Sequence, residues 1–217
     1  MPQPPSGLIT RSISCTRGYR ELFQNLSFAL QAGQVLRVEG ENGSGKTSLL
    51  RILAGLAQAV EGDVQWNDLS IRHADNNYFQ QMLYLGHKAA IKFELTPREN
   101  LCMHQALFGH AQAGEIDAAL EKIGLYGFED IVCANLSAGQ KRRVALAQLL
   151  LTRAKLWILD EPYTSLDVDA VKMLEGIFAE HVANGGMIIM TSHQPVSIDG
   201  SDYRRLCLPD TEIEVMA

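Results

Sequence analysis

The sequence predicts an α/β fold with a core of parallel strands and helices, short strands near its start and an inserted helical lobe. Three observations predict it. A glycine-rich segment stands between a strand-like stretch at 34–39 and a stretch of helical spacing at 47–56. The apolar run 156–160 is typical of a strand buried on both faces of a parallel sheet. Between them, residues 88–154 carry mainly helical patterns.

The elements can be placed in order along the chain. Residues 7–39 alternate in hydropathy between turn signals, which predicts short strands. Helices are predicted at 45–56, 97–108, 115–124, 139–153 and 168–183. Further strands are predicted at 62–66, 82–85, 156–160, 187–192 and near 203–208. We therefore expect one domain over 1–217, with a core lobe from 1–87 and 155–217 and a helical lobe from 88–154.

Composition excludes several classes of protein. The 217 residues are 47% hydrophobic and 20% charged, which suits a compact domain with a sizeable core. A net charge of −6 argues against a nucleic-acid-binding surface, which is usually strongly basic. No apolar run is long enough to cross a bilayer, so any action at a membrane is expected to go through partners.

The segment from Gly40 to Thr47 fits the phosphate-binding pattern G-x-x-x-x-G-K-[ST]. Its glycines let the backbone turn so that successive N–H groups face an anion, and the following helix adds its positive dipole end. Lys46 supplies charge for the outer phosphates, and the Thr47 hydroxyl suits Mg²⁺. The alternative is a glycine-rich turn with a surface lysine, which the motifs below disfavour.

Two adjacent acids, Asp160 and Glu161, end the apolar run. The carboxyl ends of parallel strands open onto the ligand crevice, so both acids would face a nucleotide. We expect Asp160 to be a partner of Mg²⁺ and Glu161 to orient and deprotonate an attacking water. Without the phosphate loop upstream, the pair would equally fit an ordinary strand-to-turn junction ended by Pro162.

Three further segments are ambiguous singly. Ser137 opens a predicted helix, where it would present a hydroxyl and free N–H groups to an anion or act only as an N-cap. The first turn of that helix holds Lys141–Arg143, and because cations there oppose the helix dipole, they indicate a further task. His193 would contact a γ-phosphate or cap a turn, and Ser165–Asp167 would be a site segment or the N-cap of the next helix.

The order of these motifs resembles that of the nucleotide-binding subunits of ATP-binding cassette (ABC) transporters over almost the full length. The resemblance implies a P-loop NTPase (RecA-like) ABC ATPase core, with an N-terminal antiparallel β subdomain and an inserted helical lobe, that uses ATP and Mg²⁺. It also implies a head-to-tail homodimer that holds two ATP molecules between its protomers. The signature Leu136–Gln140 of one protomer would complete the site formed by the phosphate loop of the other, which explains the single loop per chain.

The same resemblance implies roles for individual residues. Glu161 would be the hydrolytic base, and His193 and Lys46 would act on the γ-phosphate as the other catalytic residues. Thr47 and Asp160 would hold Mg²⁺. The nucleotide-binding set would comprise Gly40, Glu41, Asn42, Gly43, Ser44, Gly45, Lys46, Thr47, Ser48, Ser137, Ala138, Gly139, Gln140 and Asp167.

Two positions depart from the family pattern. The family usually has a glutamine about forty residues past the phosphate-loop lysine, touching Mg²⁺ and the membrane subunit, and His87 stands there. A neutral imidazole can ligate a metal, so His87 is a candidate for the metal site. The aromatic residue that stacks on adenine should lie near Arg17. Tyr19 is close but out of register, and an arginine can also stack on a base, so both are candidates.

His87 and its surroundings are similar to a narrower group, the ATP-binding subunits of the bacterial haem exporter in cytochrome c maturation. Ala89-Ala90 and Gln148 differ from that group. The segments that agree with it are Gly86-His87, Ile91-Lys92, Leu95-Thr96, Leu136–Ala147, Leu156–Thr164 and Ser192–Pro195. The resemblance implies a peripheral subunit on the cytoplasmic face of the inner membrane, with integral membrane subunits as partners. ATP hydrolysis would support release of a haem-loaded periplasmic chaperone. No histidine is assigned as a haem ligand.

Three alternatives stay open at this point. One is an ABC transporter ATPase with another cargo. Another is a soluble ABC ATPase that acts on nucleic acid or ribosomes, although such proteins carry coiled-coil insertions or two cassettes, and neither is seen here. The third is a module that binds nucleotide without turnover, which the presence of Lys46, Glu161 and His193 disfavours.

Overall fold

The computed structural model describes residues 7–73, 75, 77–108, 114–193, 198, 201–208 and 212–215, which form two sheets with helices packed against them. The strands are β1 (Gly7–Arg17), β2 (Arg20–Gln31), β3 (Gln34–Gly40), β4 (Glu61–Trp66), β5 (Leu69–Ser70), β6 (Met82–Leu85), β7 (Leu156–Leu159), β8 (Met187–Thr191), β9 (Asp202–Leu208) and β10 (Glu212–Val215). The helices are α1 (Lys46–Leu53), α2 (Tyr78–Gln81), α3 (Pro97–Phe108), α4 (Glu115–Lys122), α5 (Ala138–Leu151) and α6 (Val168–Ala183).

The first sheet is antiparallel, with the strand order β2-β1-β4-β5. Burial alternates along the second half of β2, where Leu26, Phe28 and Leu30 are buried while the residues next to them are exposed. Its tightest connection is the β1–β2 hairpin, in which Arg17 pairs with Arg20. The buried face packs against α1 and one side of the second sheet, and strand β2 lies beside the start of α1.

The second sheet has the strand order β10-β9-β3-β8-β7-β6. All its strand pairs are parallel except the pair of the edge strand β10 with β9. Every residue of β7 and of β8 is buried, because apolar clusters cover both faces of the sheet. The neighbours β3, β8, β7 and β6 run in one direction, so their carboxyl ends meet at one edge.

The helical segment between β6 and β7 packs through α3, α4 and α5. Its apolar core includes Leu101, Leu120, Val144 and Leu146, each almost fully buried. The helices end where the backbone reverses. Gly124 follows α4 with φ of 74°, so that helix stops at Lys122 rather than at the predicted 124. The predicted α/β fold class, with its N-terminal antiparallel sheet, is confirmed.

Several bounds differ from the sequence predictions. The helix after the phosphate loop ends at Leu53 rather than 56, because Gly55 takes a φ of 70°. A Cβ on Gly55 would lie 2.6 Å from the Phe79 ring, so the close approach also requires glycine there. Strands β5 and β10 and helix α2 were not predicted, and all three are four residues long or shorter. Within the described part of the chain, no helix combines the length and the apolar character that crossing a bilayer requires.

Candidate functional site

The site lies at the edge where the parallel strands end. The phosphate loop follows β3, His193 follows β8, the acids follow β7 and His87 follows β6. These four strands are neighbours in the sheet. Segments that are far apart in the sequence, between positions 40 and 193, therefore come together at one edge. A parallel α/β sheet places its ligand crevice at this edge.

The phosphate loop has the geometry of an anion cradle. Gly45 has φ of 108°, and a Cβ there would lie 3.0 Å from Leu22 Cβ, so the packing of β2 on the loop excludes a side chain. Helix α1 begins at Lys46, and its N-cap residue, Gly45, has no side chain that could accept a hydrogen bond from the first N–H groups of the helix. These N–H groups are therefore available to a ligand. The buried Ser44 hydroxyl has no hydrogen-bond partner among the described residues. These features fit a bound phosphate chain.

Lys46 lies across the loop that precedes it. Its Nζ donates hydrogen bonds to the carbonyl oxygens of Gly40, at 2.7 Å, and Glu41, at 3.0 Å. Both acceptors belong to the cradle itself, so the ammonium group is already held above the loop. Lys46 can therefore reach an anion in the cradle with a change of side-chain rotamer alone.

Asp160 is held on both of its carboxylate oxygens. The Thr47 hydroxyl lies 2.9 Å from Oδ2, and the Thr191 hydroxyl lies 2.8 Å from Oδ1. Asp160 is only 3% exposed, and these hydrogen bonds hold its charge beside the phosphate loop. Hydroxyl and carboxylate oxygens are hard donors of the kind that Mg²⁺ prefers, and the two groups are adjacent here. The donor set therefore fits the predicted metal.

Thr191 is a site residue that the sequence did not single out. Its hydroxyl donates to Asp160 and accepts a 2.9 Å hydrogen bond from the Glu161 backbone N–H. Thr191 is fully buried and ends a strand whose other residues are apolar. That contrast of one hydroxyl among apolar residues was the only signal in the sequence. The structure makes Thr191 the link between the two acids and strand β8.

Glu161 and His193 face each other. The His193 Nε2 lies 3.5 Å from Glu161 Oε1, and the His193 backbone N–H donates to Oε2 at 3.3 Å. The Glu161 side chain is 16% exposed, whereas that of His193 is 63% exposed. Glu161 also has a φ of 52°, which is strained for a residue with a side chain and is held by the Thr191 hydrogen bond. The predicted pair of catalytic residues is thus in contact.

Three candidates, His87, Arg17 and Tyr19, make no described contact with the two acids. His87 is exposed, and its carbonyl oxygen accepts a 3.4 Å hydrogen bond from Arg142. Arg17 and Tyr19 are exposed at the β1–β2 hairpin. From that hairpin it is Arg20 whose guanidinium comes to the phosphate loop, 3.9 Å from where a Cβ on Gly43 would stand. The roles of His87, Arg17 and Tyr19 therefore remain predictions.

Ser137 forms the N-cap of α5. Its hydroxyl accepts a hydrogen bond from the Gln140 N–H at 3.2 Å, and Gln140 Oε1 accepts one from the Ser137 N–H at 2.9 Å. This reciprocal capping box is one of the two alternatives that the sequence left open. It orders a helix start at which Ser137 and Ala138 stay exposed. A Cβ on Gly139 would lie 2.8 Å from the Ser165 carbonyl oxygen, so the tip packs closely against the segment after the acids.

Each of the three cations in the first turns of α5 has a separate partner. Lys141 Nζ donates to the Ala134 carbonyl at 3.0 Å, and Arg143 pairs with Asp167 at 2.6 Å. Arg142 is buried beneath the acids. Asp167 also caps α6 by accepting the Ala170 N–H at 2.8 Å. The unfavourable placement of cations at a helix start therefore reflects contacts with neighbouring segments, as the sequence indicated.

Known proteins match the chain over most of its length. A sequence profile of the family described as ABC transporter matches residues 23–164. The chain belongs to the ABC transporter family. A "Cytochrome c biogenesis ATP-binding export protein CcmA" from Yersinia pestis is 48% identical over 205 residues, 94% of either chain. A protein of the same name from Methylococcus capsulatus is 50% identical over 202 residues, 93% of this chain and 97% of its own.

Solved structures of ABC proteins share the fold. A putative ABC transporter ATP-binding protein from Pyrococcus furiosus superposes with a TM-score of 0.80 at 24% identity, covering 93% of this chain and 97% of that one. A dimeric ATP-binding cassette, in a post-hydrolysis state with ADP and Pi, gives 0.82 at 19% identity, covering 97% and 99%. The predicted ABC ATPase fold and enzyme class are confirmed, as is the resemblance to the cytochrome c maturation subunits.

Proposed function

We propose that this chain is the ATP-hydrolysing subunit of a membrane ABC complex that serves cytochrome c biogenesis. The observation that carries the proposal is the arrangement of Asp160 between Thr47 of the phosphate loop and Thr191, with Glu161 in contact with His193 beside it. This arrangement joins a phosphate cradle, a hard-oxygen metal site and a buried carboxylate next to an imidazole. Those are the parts that transfer of a phosphoryl group to water requires.

In this proposal the residues of one protomer position the reaction. The backbone N–H groups of the phosphate loop and Lys46 bind the phosphates, with Lys46 leaving the carbonyls that it contacts in the structure. Mg²⁺, bound with ATP, would neutralise phosphate charge, and Thr47 and Asp160 would hold it.

Glu161 would orient a water molecule and accept its proton while the water oxygen attacks the γ-phosphorus. The bond from that phosphorus to the bridging oxygen breaks, and ADP leaves with the electron pair. His193 would donate a hydrogen bond to the γ-phosphate from the position that it occupies beside Glu161. The strained backbone of Glu161 and its hydrogen bond to Thr191 would fix the base before the water arrives.

The second half of each site would come from a second copy of the chain. Ser137 and Ala138 are exposed at the start of α5, where helix N–H groups favour an anion. Across a head-to-tail homodimer, Ser137–Gly139 of one protomer would close on the ATP in the phosphate loop of the other. Support comes from the structural neighbour that is itself a dimer with ADP and Pi.

The cargo assignment is supported by the relatives. Those at 48% and 50% identity carry the words "cytochrome c biogenesis" and "export" in their names. We infer that this chain is a peripheral subunit on the cytoplasmic face of the inner membrane and that its membrane partners belong to the haem exporter of cytochrome c maturation. Its ATP hydrolysis would support release of the haem-loaded periplasmic chaperone. These relatives also favour a transporter subunit over a soluble ABC ATPase that acts on nucleic acid.

The test combines enzymology and genetics. Glu161→Gln should bind ATP normally and lower kcat at least about 100-fold, because the amide cannot accept the proton. Glu121→Gln, on the exposed surface of α4, is the matched control and should keep wild-type turnover. In a strain that lacks the chain, Glu161→Gln should fail to restore holocytochrome c, measured by haem staining, and Glu121→Gln should restore it. Normal turnover in Glu161→Gln would overturn the catalytic assignment, and holocytochrome c in the deletion strain would overturn the cargo.

A further inference from the structure

Arg142 is a buried cation that binds the backbone of both catalytic loops. Its side chain stands on α5 and the residue is 5% exposed. The guanidinium donates to carbonyl oxygens after β6 and after β7. Their distances are 3.1 Å for Gly86, 3.4 Å for His87, 3.1 Å for Asp160, 2.8 Å for Glu161 and 3.3 Å for Pro162. One side chain thus joins the His87 loop to the acid pair.

The described hydrogen bonds of the Arg142 guanidinium go to backbone carbonyl oxygens rather than to a carboxylate. Burial lowers the pKa of the guanidinium, and the nearby charges of Asp160 and Glu161 raise it. The carboxylate of Asp160 is held by Thr47 and Thr191, and that of Glu161 by His193. Carbonyl dipoles therefore solvate the buried cation, and a planar fork of donors is the side chain that can bind several of them at once.

The same helix carries the exposed tip at Ser137–Gly139. Arg142 is three positions after Gly139 and five after Ser137, so the tip and Arg142 lie within about two turns of one helix. Close packing of Gly139 against Ser165 and the Arg143–Asp167 ion pair tie the same turns to the segment that follows the acids. One continuous helix, Ala138–Leu151, therefore carries both the tip and Arg142, so a displacement of the tip would also act on the carbonyls that Arg142 binds.

We propose that Arg142 is a positioning residue that couples the two ATP sites of the homodimer. The inference rests on the proposed function, in which the tip of each protomer contacts the ATP of its partner. In each protomer, Glu161 would act on the ATP that is bound by the phosphate loop of the same protomer. When the tip engages the partner's nucleotide, Arg142 draws the carbonyls of Gly86–His87 and Asp160–Pro162 into the geometry for hydrolysis. Each site is thus made competent by occupation of the other, so hydrolysis is cooperative in ATP.

The test compares Arg142→Gln and Arg142→Lys with Arg153→Gln, the control at an exposed position just past the end of α5. ATPase rates of the full chain are measured against Mg·ATP concentration, and binding is measured with a fluorescent ATP analogue. The wild type should give a Hill coefficient between 1 and 2, the number of sites being the upper limit. Arg142→Gln should lower it to about 1 and reduce kcat about 10- to 100-fold, with analogue affinity within about twofold.

Arg142→Lys should also lower the Hill coefficient and kcat, because an ammonium group keeps the charge but cannot span the set of carbonyls. It also serves as the second variant if Arg142→Gln does not fold, which thermal unfolding will show. Arg153→Gln should match the wild type. An unchanged Hill coefficient in a folded Arg142 variant overturns the proposal, and so does a wild-type value of 1. A wild type that neither hydrolyses ATP nor dimerises overturns the proposed function instead, so the two failures are distinct.

Discussion

Replacing Thr191 with valine removes the link between the acids without changing the size of a buried side chain. Thr191 is fully buried, donates to Asp160 Oδ1 at 2.8 Å and accepts the Glu161 N–H at 2.9 Å. Loss of a hydrogen bond to a charged group costs about 1.5–3 kcal/mol, and a buried N–H left unpaired costs about 1–3 kcal/mol. Since the two terms share one hydroxyl, we expect Thr191→Val to lower the free energy of unfolding by about 2–4 kcal/mol.

A second buried threonine provides the control. The Thr10 hydroxyl in β1 accepts the Phe28 N–H at 2.9 Å and donates to the Phe28 carbonyl at 3.4 Å, away from the acids in the antiparallel sheet. Thr10→Val should cost about 1–3 kcal/mol of stability for the same reason. It should leave kcat unchanged in the folded protein. Urea unfolding gives the stability of each variant, and steady-state assays at a temperature where every variant is folded give kcat and KM.

The two variants separate a catalytic effect from a loss of stability. Thr191→Val should lower kcat about 10- to 100-fold, because Asp160 and Glu161 lose their shared anchor and a small displacement of a catalytic group is costly. Thr191→Ser keeps the hydroxyl and should retain kcat within about threefold. If Thr191→Val loses stability as Thr10→Val does but keeps the wild-type kcat, the assigned role of Thr191 is wrong.

Three further outcomes are expected. Lys46→Ala should weaken ATP binding at least about tenfold in equilibrium dialysis, whereas Lys155→Ala, at an exposed position, should not; equal affinities would contradict the phosphate-cradle assignment. His87→Ala should spare nucleotide binding and impair coupling to the membrane partner, and normal cytochrome c production in that mutant would count against it. The His181 ring stacks on Trp157, with 3.6 Å between ring centroids. Burial lowers the pKa of His181 to about 4. The unfolded chain binds that proton first, near pH 6.5, so stability should fall as the pH drops from 6.5 to 4, by less than about 3 kcal/mol because the ring is partly exposed. His181→Phe should flatten this part of the urea-midpoint curve, and an unchanged slope would show that another group is responsible.

Local sequence patterns were sufficient to predict the elements whose conformation is determined by residues close together in the chain. The loop after β3 required glycines for its turns, and the apolar run before Asp160 required a buried strand, so both were placed within one residue. Helices α3 and α6 were predicted with the bounds that the structure has, and at the start of α6 the N-cap Asp167 marks the boundary. The same rules missed β5 and β10, which are too short to show a period.

The missing site residues depend on pairings between distant segments. Thr191 reaches Asp160 only because β8 lies beside β7, with Leu159 opposite Met190, a register that no local pattern contains. Arg142 looked like a misplaced cation in a first helical turn, and its carbonyl partners come from segments up to 56 residues away. Arg20 reaches the phosphate loop through the orientation of a hairpin. Sequence reasoning therefore selected the candidate residues of the site but not the contacts that hold them.

The central claim is that ATP is bound between the phosphate loop of one protomer and the signature tip of its partner. A crystal structure of Glu161→Gln with ATP and Mg²⁺ tests it most directly, because slow turnover should preserve the closed assembly. The account predicts two nucleotides per homodimer, each between Gly40–Thr47 of one chain and Ser137–Gly139 of its partner. Nucleotide bound to the loop with the partner's tip facing away, in a dimer that buries another surface, would contradict it.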